Sequence, residues 1–303
     1  MLIKQLVDKK LLTPPIWMAQ NTSYLCTMGS IAYGVAEDTS DFDVYGFCIP
    51  PKSDIFPYQE KIYGFDSVSV FEQFQQHHVF DQNELGGKGR EYDFTIFSIV
   101  KYFKLLVEGN PNIIDSLFVP QSCILHSTRV FEMVRDNRKL FLSKRIWPRF
   151  KGYAYSQLHK AAGKNPEEGS KRHKLREKFG MDTKFLYHVV RLLSECEQIM
   201  LNGDLDLQEK GRREHMKAIR KGEAKEEDIR KWAAEKELQL EKVYSETSLP
   251  EKPDETKIKL LLMQCLEDHY GSLEKYISQV GWAENALKEI DDKLQSVRKK
   301  LYS

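Results

Sequence analysis

The sequence predicts an α+β fold in which short strands come first and helices follow. Three observations predict it. Up to about residue 94, short apolar or alternating runs are bounded by Gly, Ser, Thr, Asp and Pro, as strands are. From Thr95 onward, apolar residues recur at helical spacing instead. With 303 residues, 41% of them hydrophobic and 30% charged, the chain has the material for a real core in one large or two small domains.

The elements follow in order. YLCTM (24–28) is a buried apolar run that stops at Gly29, and DFDVYGFCI (41–49) alternates around two aspartates. SVSVFEQF (67–74) is a third strand candidate. HHVFDQNELGGKGRE (77–91) is polar and glycine-rich and reads as a loop. TIFSIVKYFKLLVEG, starting at Thr95, carries Ile96, Ile99, Val100, Phe103 and Val107 on a helical period and stops at Gly109 before Pro111. NIIDSLFV is a short apolar segment closed by Pro120. Helices are expected around 128–139, 143–162 and 182–202, the last with start signals at Asp182 or Thr183 and a stop at Gly203. Residues 208–247 read as an exposed helix or helical hairpin, 248–255 as a linker, and 256–277 as an amphipathic helix. This order divides the chain into a first domain over 1–120 and a helical domain over 121–303.

No apolar run reaches the ~18–20 residues of a membrane helix, and MLIKQLVDKKLLTPP lacks the core of a secretory signal. The five cysteines are widely spaced with no CxxC, so neither a zinc ribbon nor a redox dithiol is expected. A reducing, cytoplasmic setting is the expectation. Formal net charge is only +1, yet residues 135–191 hold sixteen Lys and Arg against five Asp and Glu. A basic block of that size fits a polyanion surface or a solvated helical face. Trp147, Phe150, Tyr153 and Tyr155, interleaved with Arg145, Arg149 and Lys151, suit base stacking or core packing equally well.

One segment carries chemistry: GSIAYGVAEDTSDFDVYG, residues 29–46. In a strand, residues two apart share a face, so Asp41 and Asp43 present two carboxylates side by side. Such a pair repels when partly buried and invites a hard divalent cation, Mg²⁺ or Mn²⁺. Gly29-Ser30, at a strand-to-helix turn, offers N–H groups and a hydroxyl to phosphate. A phosphate cradle beside metal carboxylates is the equipment of nucleotidyl transfer. By contrast, GGKG (86–89) lacks the GxxxxGK[ST] pattern, and His77-His78 has no third ligand at zinc spacing.

The segment resembles the signature of the DNA-polymerase-β-like nucleotidyltransferase superfamily, GS followed about ten residues later by DxD. GSxAYG and SDFDVYG look most like predicted bacterial and phage nucleotidyltransferases, some of them associated with RNA ligases. DFTIFSIVKYFKLLVEGNPNIIDSLF (93–118) and GMDTKFLYHVVRLLSECEQIMLNGDLDL (180–207) resemble two further segments of that subgroup. At Ile31 the sequence departs from relatives that often carry a basic residue.

The resemblance implies a mixed sheet with a metal site followed by a helical nucleotide- and acceptor-binding domain. It also implies a third carboxylate on a neighbouring strand. Asp81, Glu84, Glu91 and Asp93 are the candidates; Asp93, directly before Phe94–Phe97, matches the family segment by position, with Glu91 as fallback. Asp93 could equally be a helix N-cap. On this reading Asp41, Asp43 and Asp93 hold Mg²⁺ or Mn²⁺, while Gly29, Ser30 and Ser40 contact the NTP, ATP foremost. Lys184, His188 and Arg191, at i, i+4 and i+7, share a helix face that suits triphosphate, nucleic-acid backbone or solvent. RNA, reached through residues 135–191, is the favoured acceptor. Nucleotidylation of a protein or small molecule and a non-catalytic RNA-binding module are the alternatives.

Overall fold

The computed structural model describes residues 2–37, 40–52, 71–80, 91–163, 168, 171–271 and 290. Two short helices, α1 (Leu2–Asp8) and α2 (Met18–Asn21), lead into strand β1 (Thr22–Thr27). A helical turn, α3 (Gly29–Ala32), precedes β2 (Phe42–Cys48), and then come β3 (Gln73–Phe80), β4 (Glu91–Ser98), α4 (Ile99–Val107), α5 (Pro111–Leu117) and β5 (Ile124–Ser127). Helices α6 (Arg129–Asp136), α7 (Ile146–Ala162), α8 (Lys171–Phe179), α9 (Thr183–Asn202), α10 (Lys210–Arg220), α11 (Glu226–Glu246) and α12 (Glu255–Tyr270) complete the described chain. The fold is α+β, with a mixed five-stranded sheet in the order β3-β4-β2-β1-β5. Only the central β2/β4 pair is parallel; β1/β2, β1/β5 and β3/β4 are antiparallel.

The sheet buries both faces. On one, Leu25, Val44, Cys48, Tyr92, Phe94 and Ile96 pack with Ile3 and Leu6 of α1 and with Leu12 and Met18. On the other, Tyr24, Cys26, Phe47 and Phe97 enter a core that continues through the helices as far as Leu266. Helix α9 is the axis of that second core. Most of its length is buried, and it packs on α7, α10 and α11. All five cysteines are free and buried.

Three local expectations change. Thr95–Ser98 is strand, not helix, and α4 starts at Ile99 under the Ser98 cap, whose hydroxyl accepts from the Lys101 N–H at 3.2 Å. A central strand buried on both faces is a continuous apolar run, which periodicity cannot tell from a buried helix. His77–Phe80 is strand as well: β3 is the exposed, polar edge of the sheet, as edge strands often are. The run 208–247 is the hairpin α10–α11. Residues 67–70, the GGKG stretch, Asp81 and Glu84, and 272–277 of the last expected helix lie outside the described residues. Strand β5 extends the sheet past residue 120, and the larger core runs through both halves of the chain.

Candidate active site

The site begins where β1 leaves the sheet. Met28 N–H donates to the Asp43 carbonyl at 2.7 Å, and Gly29 then turns the chain with φ +63°. A Cβ at Gly29 would lie 2.1 Å from Asp43 Oδ2. Only glycine fits there, for its φ and for its missing side chain alike. Ser30 follows, half-buried, in the turn of α3.

Asp41 stands just before β2, and Asp43 is its second residue. The parallel register sets Phe42 against Tyr92, Asp43 against Asp93 and Val44 against Phe94. Phe42 and Tyr92 stack with ring centroids 5.1 Å apart, and by strand alternation the aspartates take the opposite face. Asp93 is therefore a strand residue side by side with Asp43, not a helix cap. Burial pushes the Asp43 carboxyl up; Lys184 opposes this, Asp93 and Asp41 add to it, and His77 opposes it weakly.

Edge strand β3 adds two histidines, His77 and His78, whose polar sequence surroundings read as a loop. His77 Nδ1 lies 3.6 Å from Asp93 Oδ1, and the His78 N–H donates to that same oxygen at 2.9 Å. The pairing of β3 with β4 is irregular between Gln76 and Val79, where His78 takes φ +57° and its Nδ1 meets Glu91 Oε1. Ligand atoms of His78, Glu91 and Asp93 lie within 4.8 Å of one another, so this trio could hold a cation. No spacing rule in the sequence pointed to it, because the bulge decides where the histidines aim.

Helix α9 closes the site from the other side. Its N-cap, Asp182, is buried, accepts from the Phe185 N–H at 3.3 Å and is gripped by Arg172 at 2.8 Å. Lys184 is exposed and its charge bears on Asp43. One turn on, His188 Nδ1 is enclosed without a hydrogen-bond partner among the described residues. Burial, helped by the charges of Arg191, Lys184, Arg220 and Lys160, holds His188 well below the usual imidazole range and hence neutral.

Arg191 does not join them. It is 3% exposed and its guanidinium meets the Asp115 carboxylate and the Tyr33 hydroxyl, with Asn112 at 3.3 Å and Glu195 at 3.6 Å. The Lys184–His188–Arg191 stripe keeps one angular position but descends about 10 Å along the axis, from solvent into the core. Asp115, an acid inside an apolar segment, was the available signal for a buried basic partner. Ser40 also serves locally: its Oγ accepts from the Glu37 N–H at 2.9 Å.

Part of the block 135–191 is matched by acids elsewhere in the fold. Lys139 pairs with Asp204 at 2.7 Å, Lys144 with Glu251 at 2.6 Å, and Lys151 with Glu237 and Glu241, both at 2.7 Å. Trp147 and Phe150 are core, and Tyr155 donates to Glu237 at 2.7 Å. No described helix is long and apolar enough to cross a membrane.

Against known proteins, the chain is 25% identical over 136 residues to an uncharacterized 38.9 kDa protein from the nrdC-mobD intergenic region of Enterobacteria phage T4. That match covers 44% of this chain and about a third, 36%, of the phage protein. A solved nucleotidyltransferase-like protein from Exiguobacterium sibiricum aligns with 98% of this chain and 90% of its own, at 11% identity and a TM-score of 0.29. The description "RNA repair pathway DNA polymerase beta family" matches residues 5–264, most of the chain, and the protein belongs to that family.

Proposed function

We propose that the protein is a divalent-metal-dependent nucleotidyltransferase that moves NMP from an NTP, ATP foremost, to a hydroxyl of RNA during end modification or repair. The observation that carries this reading is the register of Asp43 beside Asp93 on parallel strands, with the charge of Asp41 also acting on Asp43. The residues fit a cation. Burial lifts the Asp43 carboxyl; Lys184 opposes this, and the charges of Asp93 and Asp41 add to it. Hard oxygen donors of this kind suit Mg²⁺ or Mn²⁺. A divalent ion held by Asp41, Asp43 and Asp93 would neutralise phosphate charge and lower the pKa of the attacking hydroxyl.

The protein's own groups do the rest. Gly29, bare of a side chain, lets backbone N–H groups approach the β- and γ-phosphates, and the Ser30 hydroxyl donates to them. Ser40 holds the turn that leads into Asp41. Lys184 supplies positive charge on the triphosphate side, and neutral His188 offers one ring nitrogen there as donor or acceptor. Arg191 is a positioning residue: anchored on Asp115 and Tyr33, it fixes the depth of α9 and so the reach of Lys184.

The test is to incubate the protein with each labelled NTP, Mg²⁺ or Mn²⁺ and RNA, beside its Asp43→Asn variant. Label should enter RNA only with the divalent ion and only for the unsubstituted protein. Label on a protein or small molecule instead would overturn RNA as acceptor, and undiminished transfer by Asp43→Asn would overturn the site.

A further inference from the structure

Six of the fourteen cations of the 135–191 block whose side chains are described have acidic partners; among the others, two sit together on one helix, α7. Arg149 and Lys160 are exposed and form no ion pair with any described residue. They lie at the two ends of one face of α7, where Arg149, Gly152, Tyr153, Ser156, Gln157 and Lys160 line an open depression of about 360 Å³. The cations are eleven residues apart, about 16 Å along the helix. Between them the floor is polar and low: a Cβ added at Gly152 would meet nothing within 4 Å.

This face lies beside α9, the helix that carries Lys184. Lys160 Nζ stands 6.0 Å from the centroid of the Phe185 ring, next in sequence to Lys184, whose charge acts on Asp43. Tyr153, whose hydroxyl accepts from Asn110 Nδ2 at 2.9 Å, bears on Tyr45, which also feels Asp43. A depression with a cation at each end, beside the helix that carries Lys184, suits an extended polyanion.

We propose that this face of α7 binds the backbone of single-stranded RNA, with Arg149 and Lys160 on phosphates and Ser156 and Gln157 on sugar hydroxyls. The inference rests on the proposed transfer to RNA and names the path of the acceptor. It moves the RNA contact away from α8, where Arg172 is committed to Asp182. Charge complementarity selects RNA over an apolar or basic partner, and backbone contacts of this kind are sequence-tolerant and salt-dependent.

The experiment measures anisotropy of a short unstructured RNA with the full chain, in EDTA and without NTP, across a salt series. Arg149→Glu with Lys160→Glu should weaken binding at least tenfold, and losing two contacts should flatten the log–log salt slope by about 1.4. Lys174→Glu, an exposed α8 cation outside the depression, should stay within twofold. If the double reversal impairs folding, Arg149→Gln with Lys160→Gln should act in the same direction. An unchanged slope, equal loss with Lys174→Glu, or absence of RNA binding by the unsubstituted chain overturns the path. The failure of the catalytic reading looks different. Asp43→Asn should keep RNA binding and lose transfer; if it keeps both, the carboxylate assignment falls while the path stands.

Discussion

Two groups of acids flank the same helix, α9, and they are built in opposite ways. Near its N-terminal end, Asp43 and Asp93 lie in register with Asp41 close by, and the cation bearing most on Asp43 is Lys184, which is exposed. Deeper along the helix, Asp115 and Glu195 are fully buried around Arg191, with the Tyr33 hydroxyl donating to Asp115 at 2.9 Å. In the deep group the protein supplies its own cation, although Asp115 Oδ1 and both Glu195 oxygens have no hydrogen-bond partner among the described residues. In the open group the cation is the exposed Lys184. A buried charge that lacks a partner costs several kcal/mol, so the deep group carries its cation within the fold. On the proposed reading, a divalent ion completes the open group.

The sharpest way to break this contrast is to neutralise one member of each group. Asp43→Asn should cut nucleotidyl transfer by about a thousandfold, the scale of losing a central electrostatic stabiliser. Its melting temperature without metal should equal or exceed that of the unsubstituted protein. The sign follows from the raised Asp43 pKa: the folded state holds its proton more tightly, so apo stability falls as pH rises through the raised value. A large loss of apo stability would make the pair structural.

Arg191→Met should do the reverse, stranding Asp115 and Glu195 in the core at a cost of about 3–5 kcal/mol. Urea denaturation measures it. A change within 1 kcal/mol (about a fivefold shift in the folding equilibrium) would mean that the deep group does not need its cation.

Gly29→Ala tests the boundary between the open group and the backbone. The added Cβ would press on Asp43 Oδ2 at a φ of +63°, costing about 1–2 kcal/mol for the left-handed conformation alone. Transfer should fall about a hundredfold because the carboxylate is displaced. Wild-type kinetics in this variant would show that the close approach is incidental.

The smallest effect lies in pH dependence. Burial, with Asp115 beside it, pushes Glu195 up to about 8, against the pull of Arg191. Stability from this group is full below the ordinary carboxylate range and lost as pH rises toward 8. Glu195→Gln should flatten that decline and leave the variant more stable at pH 8 by about 1 kcal/mol. Parallel pH–stability curves for the two proteins would remove Glu195 as its source.

Much of the open group was legible in the chain. Gly29-Ser30, Asp41 and Asp43 sit within one short segment, where strand alternation alone predicts a shared face. Asp93 could be singled out among four acids only by resemblance, because strand order is a long-range property. The two histidines of β3 were illegible as site residues, since a polar edge strand and a loop have the same composition. The burial of Arg191 is illegible for a related reason: angular position on a helix is local, but depth depends on what the helix is pushed into.

The sequence by itself determined the α+β order, the carboxylate-and-glycine segment and the helix bearing Lys184, because each is written in contacts between near neighbours. Only the tertiary structure decided which charges stay open. Residues 135–191 carry a net +11 as text, yet Asp204, Glu237, Glu241 and Glu251, all outside that stretch, fold back onto Lys139, Lys144 and Lys151. Coulomb attraction depends on distance in space, not along the chain. A block that looks uniformly basic in sequence is therefore divided by folding into paired cations and others, Arg149 and Lys160 among them, left facing solvent.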